Sequence, residues 1–293
     1  MLFLKKIFRT FVFGNIFVAL CAYFLSLQEL YFAGKLALIN PTSLFIFFST
    51  LLIYNYRKLL FTHRELKPPF SERAQWIVNN RAVLAVITVC SVFGIFISVL
   101  SLNKQILLFL FPLFLVSVLY ATPFSRKMDS LKRLRQLPFL KIFLVAGVWS
   151  AVTVLLPVIA NDFKNLFSVQ VIFTFCMRFI FLFAITIPFD VRDMEVDERN
   201  HIKTFPVVMG EKKAIQLSVI ALTFFILMYA CSGFFVSEID NKIKFGYILS
   251  GWLSIAFVFQ SLRNKREYFT SFWIEGLMLM QFVLIYIFTK IIG

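Results

Sequence analysis

The sequence predicts an all-α fold: a polytopic membrane protein in which nine transmembrane helices form one bundle, residues 1–293 as a single domain, capped by long loops on the cytoplasmic face. Three observations carry this. Hydrophobic residues make up 60% of the chain and charged residues only 15%, outside the range of soluble domains. Nine apolar runs are each long enough, or nearly so, for the ~20 residues that cross a bilayer core of about 30 Å. Most of the positive charge lies on alternate loops, as in polytopic proteins that obey the positive-inside rule.

In chain order the expected spans are 8–27, 36–56, 82–101, 105–121, 139–160, 167–189, 214–237, 245–260 and 269–288. The first follows Lys5, Lys6 and Arg9, as a signal peptide would, but no small-residue cleavage site ends it, which favours a retained helix. The second and sixth both pass from an apolar run into a polar extension, "LLIYNYRKLLFTH" and "TIPFDVRDMEVDE". That similarity, four spans apart, suggests two related four-helix units with a ninth helix added. The short connections "SLNKQ" and "NDFKN" are nearly featureless, whereas the loops after spans two, four and six run to about twenty residues and hold most of the charge. Cys21, Cys90, Cys176 and Cys231 all fall within apolar runs without ligand spacing, so they read as packing residues.

The formal charge is +15, and 23 of the 30 lysines and arginines fall in the N-terminal segment and the stretches 57–81, 126–141, 190–213 and 261–268. These all share one face if the spans alternate. The asymmetry argues against nucleic-acid binding, places the N-terminus in the cytoplasm and the C-terminus outside, and suggests the inner membrane of a bacterium. A secondary transporter would carry charged or broken helices near the midplane of both halves. Here the carboxylates gather at the cytoplasmic rim.

"DVRDMEVDERNHIKTFPVVMG", residues 190–210, holds five of the fifteen acidic residues. Asp190, Asp193 and Asp197 are spaced i, i+3 and i+7, so a helix continuing span six would align them on one face. Stacked carboxylates repel, and a cation relieves that repulsion. Hard oxygen donors without a nearby cysteine or second histidine suit Mg²⁺, which binds through one or two carboxylates plus substrate phosphates. The competing reading is a solvated acidic loop paired with Arg192, Arg199 and Lys203. On the same face, "LYATPFSRKMDSLKRLRQLP" offers Arg126 and Lys127 for phosphate, with Lys132, Arg133 and Arg135 left to anionic lipid.

Together these stretches resemble the UbiA superfamily of intramembrane prenyltransferases. "DVRDMEVDERNHIKTFPVVMG" is similar to that family's second aspartate-rich motif, D-x-x-D-x-x-x-D followed by a short basic linker and K-T-x-P. "LYATPFSRK" resembles its Tyr-x-x-Pro stretch, and the nine spans with long second, fourth and sixth loops extend the likeness over essentially the whole chain. The resemblance implies transfer of a prenyl group from a prenyl diphosphate to an aromatic or other lipophilic acceptor, with Mg²⁺ bridging the diphosphate. It also implies Asp190, Asp193 and Asp197 as metal ligands, Arg126, Lys127 and Lys203 on the diphosphate, Asn55 orienting the leaving group, and Tyr120 near the diphosphate or reacting carbon.

One motif departs from the pattern. The family's first motif, N-D-x-x-D-x-x-x-D, falls on "NYRKLLFTH", where Asn55 fits but Tyr56, Leu59 and His63 stand at the aspartate positions. This motivates a second reading, a non-catalytic homologue that binds an isoprenoid lipid or serves as a membrane assembly subunit. Arg178 and Glu275, both inside apolar runs, are expected either to pair across helices or to line the cavity. His201 reads as a solvated loop histidine.

Overall fold

The computed structural model describes residues 2–32, 37, 39–60, 72–121, 139–234, 236 and 239–290, and among these it is helical with no strand. The elements are α1 (Leu2–Phe13), α2 (Ile16–Phe32), α3 (Pro41–Leu60), α4 (Glu72–Asn79), α5 (Arg81–Val99), α6 (Lys104–Ala121), α7 (Leu140–Ser150), α8 (Leu156–Asn161), α9 (Val169–Arg192), α10 (Met194–Arg199), α11 (Phe205–Met209), α12 (Glu211–Ala230), α13 (Asn241–Ser261) and α14 (Glu275–Lys290). Two π-helical stretches, Ala151–Leu155 and Phe269–Ile274, lead into α8 and α14. The first precedes Pro157, whose missing N–H breaks the regular ladder at that point.

Among the described residues each expected apolar run overlaps a helix, though not all of them over their full length. Among the described residues six helices are long and apolar enough to cross a membrane: Arg81–Val99, Leu140–Asn161, Val169–Arg192, Glu211–Ala230, Asn241–Ser261 and Phe269–Lys290. The pair α1 and α2 makes a seventh if its halves count as one span. The other two expected spans fall on α3 and α6. Of the expected cap loops, 61–71 and 122–138 lie outside the described residues, whereas the third is described and folds into α10 and α11.

The first span differs from expectation. It breaks at Gly14 and Asn15, and α1 leaves α2 at 60°. Asn15 takes the left-handed conformation, φ 60°, which asparagine tolerates better than most side-chain-bearing residues. Leu4, Ile7 and Phe8 of α1 are exposed, while Val12 and Phe13 are buried against Trp76 and Leu84.

Helix order around the bundle follows from the packing: α2 lies against α14, α14 against α13, α13 against α12, α12 against α9, and α9 against α7, whose π-helical continuation returns to α2. The main core fills this ring, with Phe17, Cys21 and Leu25 from α2 meeting Met177, Phe181 and Ile185 from α9. Outside the ring, α3 packs on α2 and α5 on α3. The outer side of α5 exposes Val86, Val89, Val92, Phe93 and Phe96, as a lipid-facing helix does once its backbone bonds are satisfied internally. Small residues permit close helix approach: a Cβ on Gly246 of α13 would meet Ile285 Cγ1 at 2.8 Å and Ile285 Cα at 3.0 Å.

Candidate active site

The acidic stretch lies at the end of the bundle where α9 finishes. The helix does not continue smoothly through it. Asp193 caps α9 with φ −90° and ψ 4°, its N–H still donating to the Phe189 carbonyl at 3.0 Å, and α10 starts again at Met194. Asp190 and Asp197 therefore share a face and Asp193 turns aside, a correction to the single face expected from spacing.

Lys141, in the first turn of α7, takes up that shared face. Its Nζ is 2.5 Å from Asp190 Oδ1 and 3.5 Å from Asp197 Oδ2, and both carboxylates are almost fully buried. The register of α7 is set partly by backbone, because the Phe139 N–H donates to the Lys203 carbonyl at 3.0 Å. Asp190 Oδ2 is buried with no hydrogen-bond partner. An anionic oxygen with no donor is an acceptor directed at a cation or a proton.

Asp193 is bound by its neighbour instead. Arg192 Nε lies 2.8 Å from Asp193 Oδ1 and Nη2 lies 3.0 Å from Oδ2, a fork-to-fork pair, while Nη1 donates to Thr270 Oγ1 at 2.7 Å. Burial pushes the Asp193 carboxyl up, but the Arg192 guanidinium, with Lys141 and Arg73 behind it, outweighs burial and holds it below the usual carboxylate value. Among the described residues no group of three or more His, Cys, Asp or Glu is arranged to hold a metal ion. The three carboxylates are oxygen donors of the type Mg²⁺ takes, one or two at a time with phosphate oxygens and water, but here Lys141 and Arg192 stand against them.

The first-motif region stands on α3 at the same end. Asn55 is fully buried and its amide is engaged: Nδ2 donates to the Gly14 and Leu51 carbonyls at 2.9 and 3.0 Å, and Oδ1 accepts from Asn15 Nδ2 at 2.7 Å. Lys58, one turn on, donates from Nζ to the Phe13 carbonyl and to Asn15 Oδ1, both at 2.9 Å. Arg73 of α4 adds a donor to the same Oδ1 at 2.8 Å, and its backbone N–H donates to Glu267 Oε2 at 2.9 Å. Asn55, Lys58 and Arg73 thus converge on the left-handed residue of the broken first span and satisfy carbonyls that the end of α1 leaves open. Of the aspartate positions, Tyr56 is exposed, Leu59 packs with Val12, Phe13, Trp76 and Leu84, and His63 lies outside the described residues.

Of the other expected site residues, Lys203 is exposed and takes part through its backbone. Tyr120 is in α6, though its side chain lies outside the described residues, as do Arg126 and Lys127. His201 is exposed, with φ 55°. Arg178 pairs across helices at 2.8 Å, not with Glu275 but with Glu29. Glu275 instead follows the π-helical stretch that carries Thr270, within electrostatic reach of Lys58, Arg73 and Arg192. Lys141, Lys58 and Arg73 went unrecognised in the sequence. Their only local mark is a basic residue on the face of the bundle shared with the aspartates.

The model of the UbiA prenyltransferase family matches residues 74–283. A solved structure of a digeranylgeranylglyceryl phosphate synthase in membranes aligns over 97% of this chain and 98% of its own, with a TM-score of 0.55 and 13% sequence identity, a likeness that shows the fold. A search of curated proteins finds no match. With α9, its acidic C-terminus, α13 and most of α14 inside the matched stretch, this integral membrane protein belongs to the UbiA prenyltransferase family.

Proposed function

We propose that the protein transfers a prenyl group from a prenyl diphosphate to an aromatic or other lipophilic acceptor within the membrane. The observation that carries the reading is the buried pair Asp190 and Asp197 around Lys141, with Asp190 Oδ2 lacking a partner, inside the stretch matched by the family. Asp190 and Asp197, with Asp193 at the rim, would hold Mg²⁺, which when bound neutralises charge on the leaving pyrophosphate. Arg126, Lys127 and Lys203 are assigned to the diphosphate oxygens, and Tyr120 to the neighbourhood of the reacting carbon. Lys141 and Arg192 orient the carboxylates. Asn55 enters as a positioning residue that secures the helix break beside the site. The cytoplasm is the proposed compartment of this end, and a bacterial inner membrane the proposed location.

The rebuilt first motif favours one other reading. With Asn55 engaged at Asn15 and Leu59 in an apolar cluster, the protein would bind an isoprenoid lipid without ionising it. Pyrophosphate release and ligand binding decide between the two, measured on the purified protein with a panel of prenyl diphosphates, with and without Mg²⁺. Transfer chemistry predicts metal-dependent release that drops at least tenfold in Asp193→Ala, the loss expected when about 1.4 kcal/mol of transition-state stabilisation is removed. Binding without release selects the carrier reading, and neither in a folded sample overturns both.

A further inference from the structure

We propose that the cleft between α1 and α4 is a binding site for the phosphate headgroup of an anionic membrane phospholipid. The cleft has a volume of about 530 Å³ and is lined by Lys5, Lys6 and Arg9 from α1 and by Glu72 and Asn79 from α4, over a floor of Phe13 and Trp76. Its charged groups are three cations and one carboxylate. Arg9 binds Glu72 through Nη2, and the Arg9 Nε, on the same guanidinium, is buried with no acceptor. A donor held out of water without a partner calls for an anionic oxygen, and a phosphate supplies several.

The shape of α1 says where that oxygen comes from. The helix leaves α2 at 60°, a bend that turns it away from the axis of α2 and toward the membrane boundary. Leu4, Ile7 and Phe8 are 70%, 50% and 39% exposed, and Lys5 and Lys6 are exposed among them. A helix with apolar side chains free on one side and lysines on the other lies in the interface, its apolar side chains among acyl chains and its lysines at headgroup depth. A tryptophan in the cleft floor suits the same layer. A ligand that joins a phosphate to acyl tails meets both surfaces at once; a soluble phosphate meets only the cations.

The site also bears on the rest of the fold. Glu72 directly precedes Arg73, which binds Asn15 at the helix break and Glu267 before the π-helical stretch. A headgroup between Arg9 and the start of α4 would therefore brace the polar contacts around the break.

The test uses the full chain purified in a zwitterionic detergent, titrated with phosphatidylglycerol, phosphatidylcholine, inorganic phosphate and pyrophosphate. Native mass spectrometry counts retained lipid, and thermal unfolding reports the stabilisation. Phosphatidylglycerol should bind saturably and raise the unfolding temperature, while phosphatidylcholine should not. At about fivefold per basic residue near a charged headgroup, Lys5→Gln/Lys6→Gln should weaken binding about 25-fold. Both lysines are exposed, so the ligand-free unfolding temperature of this variant should match the wild type. Lys212→Gln/Lys213→Gln, which removes an exposed basic pair on α12, is the control and should bind like the wild type. Equal binding of the two lipids, an unchanged Lys5→Gln/Lys6→Gln variant, or an equal loss in the control would overturn the proposal. Saturation by phosphate or pyrophosphate where phosphatidylglycerol does not bind would assign the cleft to a soluble anion and equally remove the lipid.

Discussion

Replacing Lys141 by methionine tests the centre of the site. The substitution keeps most of the side-chain volume and removes the ammonium that stands 2.5 Å from Asp190 and 3.5 Å from Asp197. At an effective dielectric of about 20 those separations correspond to gross attractions of roughly 7 and 5 kcal/mol, most of it offset by the desolvation of the three groups. Removing one partner restores the hydration of the ammonium only, and leaves two buried carboxylates facing each other. The expected destabilisation is about 3–5 kcal/mol, the range for a broken buried pair. Adding Asp190→Asn should recover at least ~1 kcal/mol of that, since groups sharing one network are not additive. Unfolding in mixed micelles with EDTA gives both numbers, and Mg²⁺ should partly rescue the single variant and not the double. A single variant within ~1 kcal/mol of wild type, or strict additivity with Asp190→Asn, would refute the idea that Lys141 compensates these carboxylates.

Two further outcomes are expected. Arg178→Met should destabilise the fold by about 3–5 kcal/mol by stranding Glu29, and Arg178→Met/Glu29→Gln should return most of it, with diphosphate binding unchanged in both because the pair lies away from the acidic end; altered binding would show that the pair belongs to the site. Under the proposed function, one Mg²⁺ per chain should saturate a bound prenyl diphosphate, and a stoichiometry of two by calorimetry or by Mn²⁺ substitution would contradict the site described above.

The helices were legible because apolar runs of span length leave the backbone little choice in a membrane. What lay beyond the sequence was mostly long-range. "FVFGNIFV" did carry a mark, a glycine and an asparagine inside an otherwise apolar run, yet only the structure shows Asn55, Lys58 and Arg73 reaching Asn15 from α3 and α4. Spacing aligned Asp190, Asp193 and Asp197 by assuming an unbroken helix, and the break at Asp193 turned one carboxylate to Arg192. Glu29 escaped notice because the first span was expected to end at residue 27, whereas α2 runs to Phe32 and keeps that carboxylate inside the bundle opposite Arg178. Lys141 sits 49 residues from Asp190 and 56 from Asp197, a separation over which periodicity says nothing.

The charges at the acidic end explain why a single cation is the expectation. Asp190, Asp193, Asp197, Glu267 and Glu275 face Lys141, Arg192, Arg73 and Lys58, so the formal balance is already within one charge of neutral. The surplus carboxylate character is local to α9 and α10, where the unpartnered Asp190 Oδ2 lies. On the α3 side Lys58 and Arg73 face Glu267 and Glu275. Lys58 stands one turn from Asn55, Lys58 and Arg73 both donate to Asn15, which bonds Asn55, and Leu59 puts a hydrocarbon where the family pattern has an oxygen. A second divalent cation there would find two basic side chains and no anionic donor from Tyr56 or Leu59. Under the proposed function, then, Mg²⁺ would be held by the carboxylates of α9 and α10 alone, with Lys58 and Arg73 standing on the side where the family pattern would place ligands for a second ion.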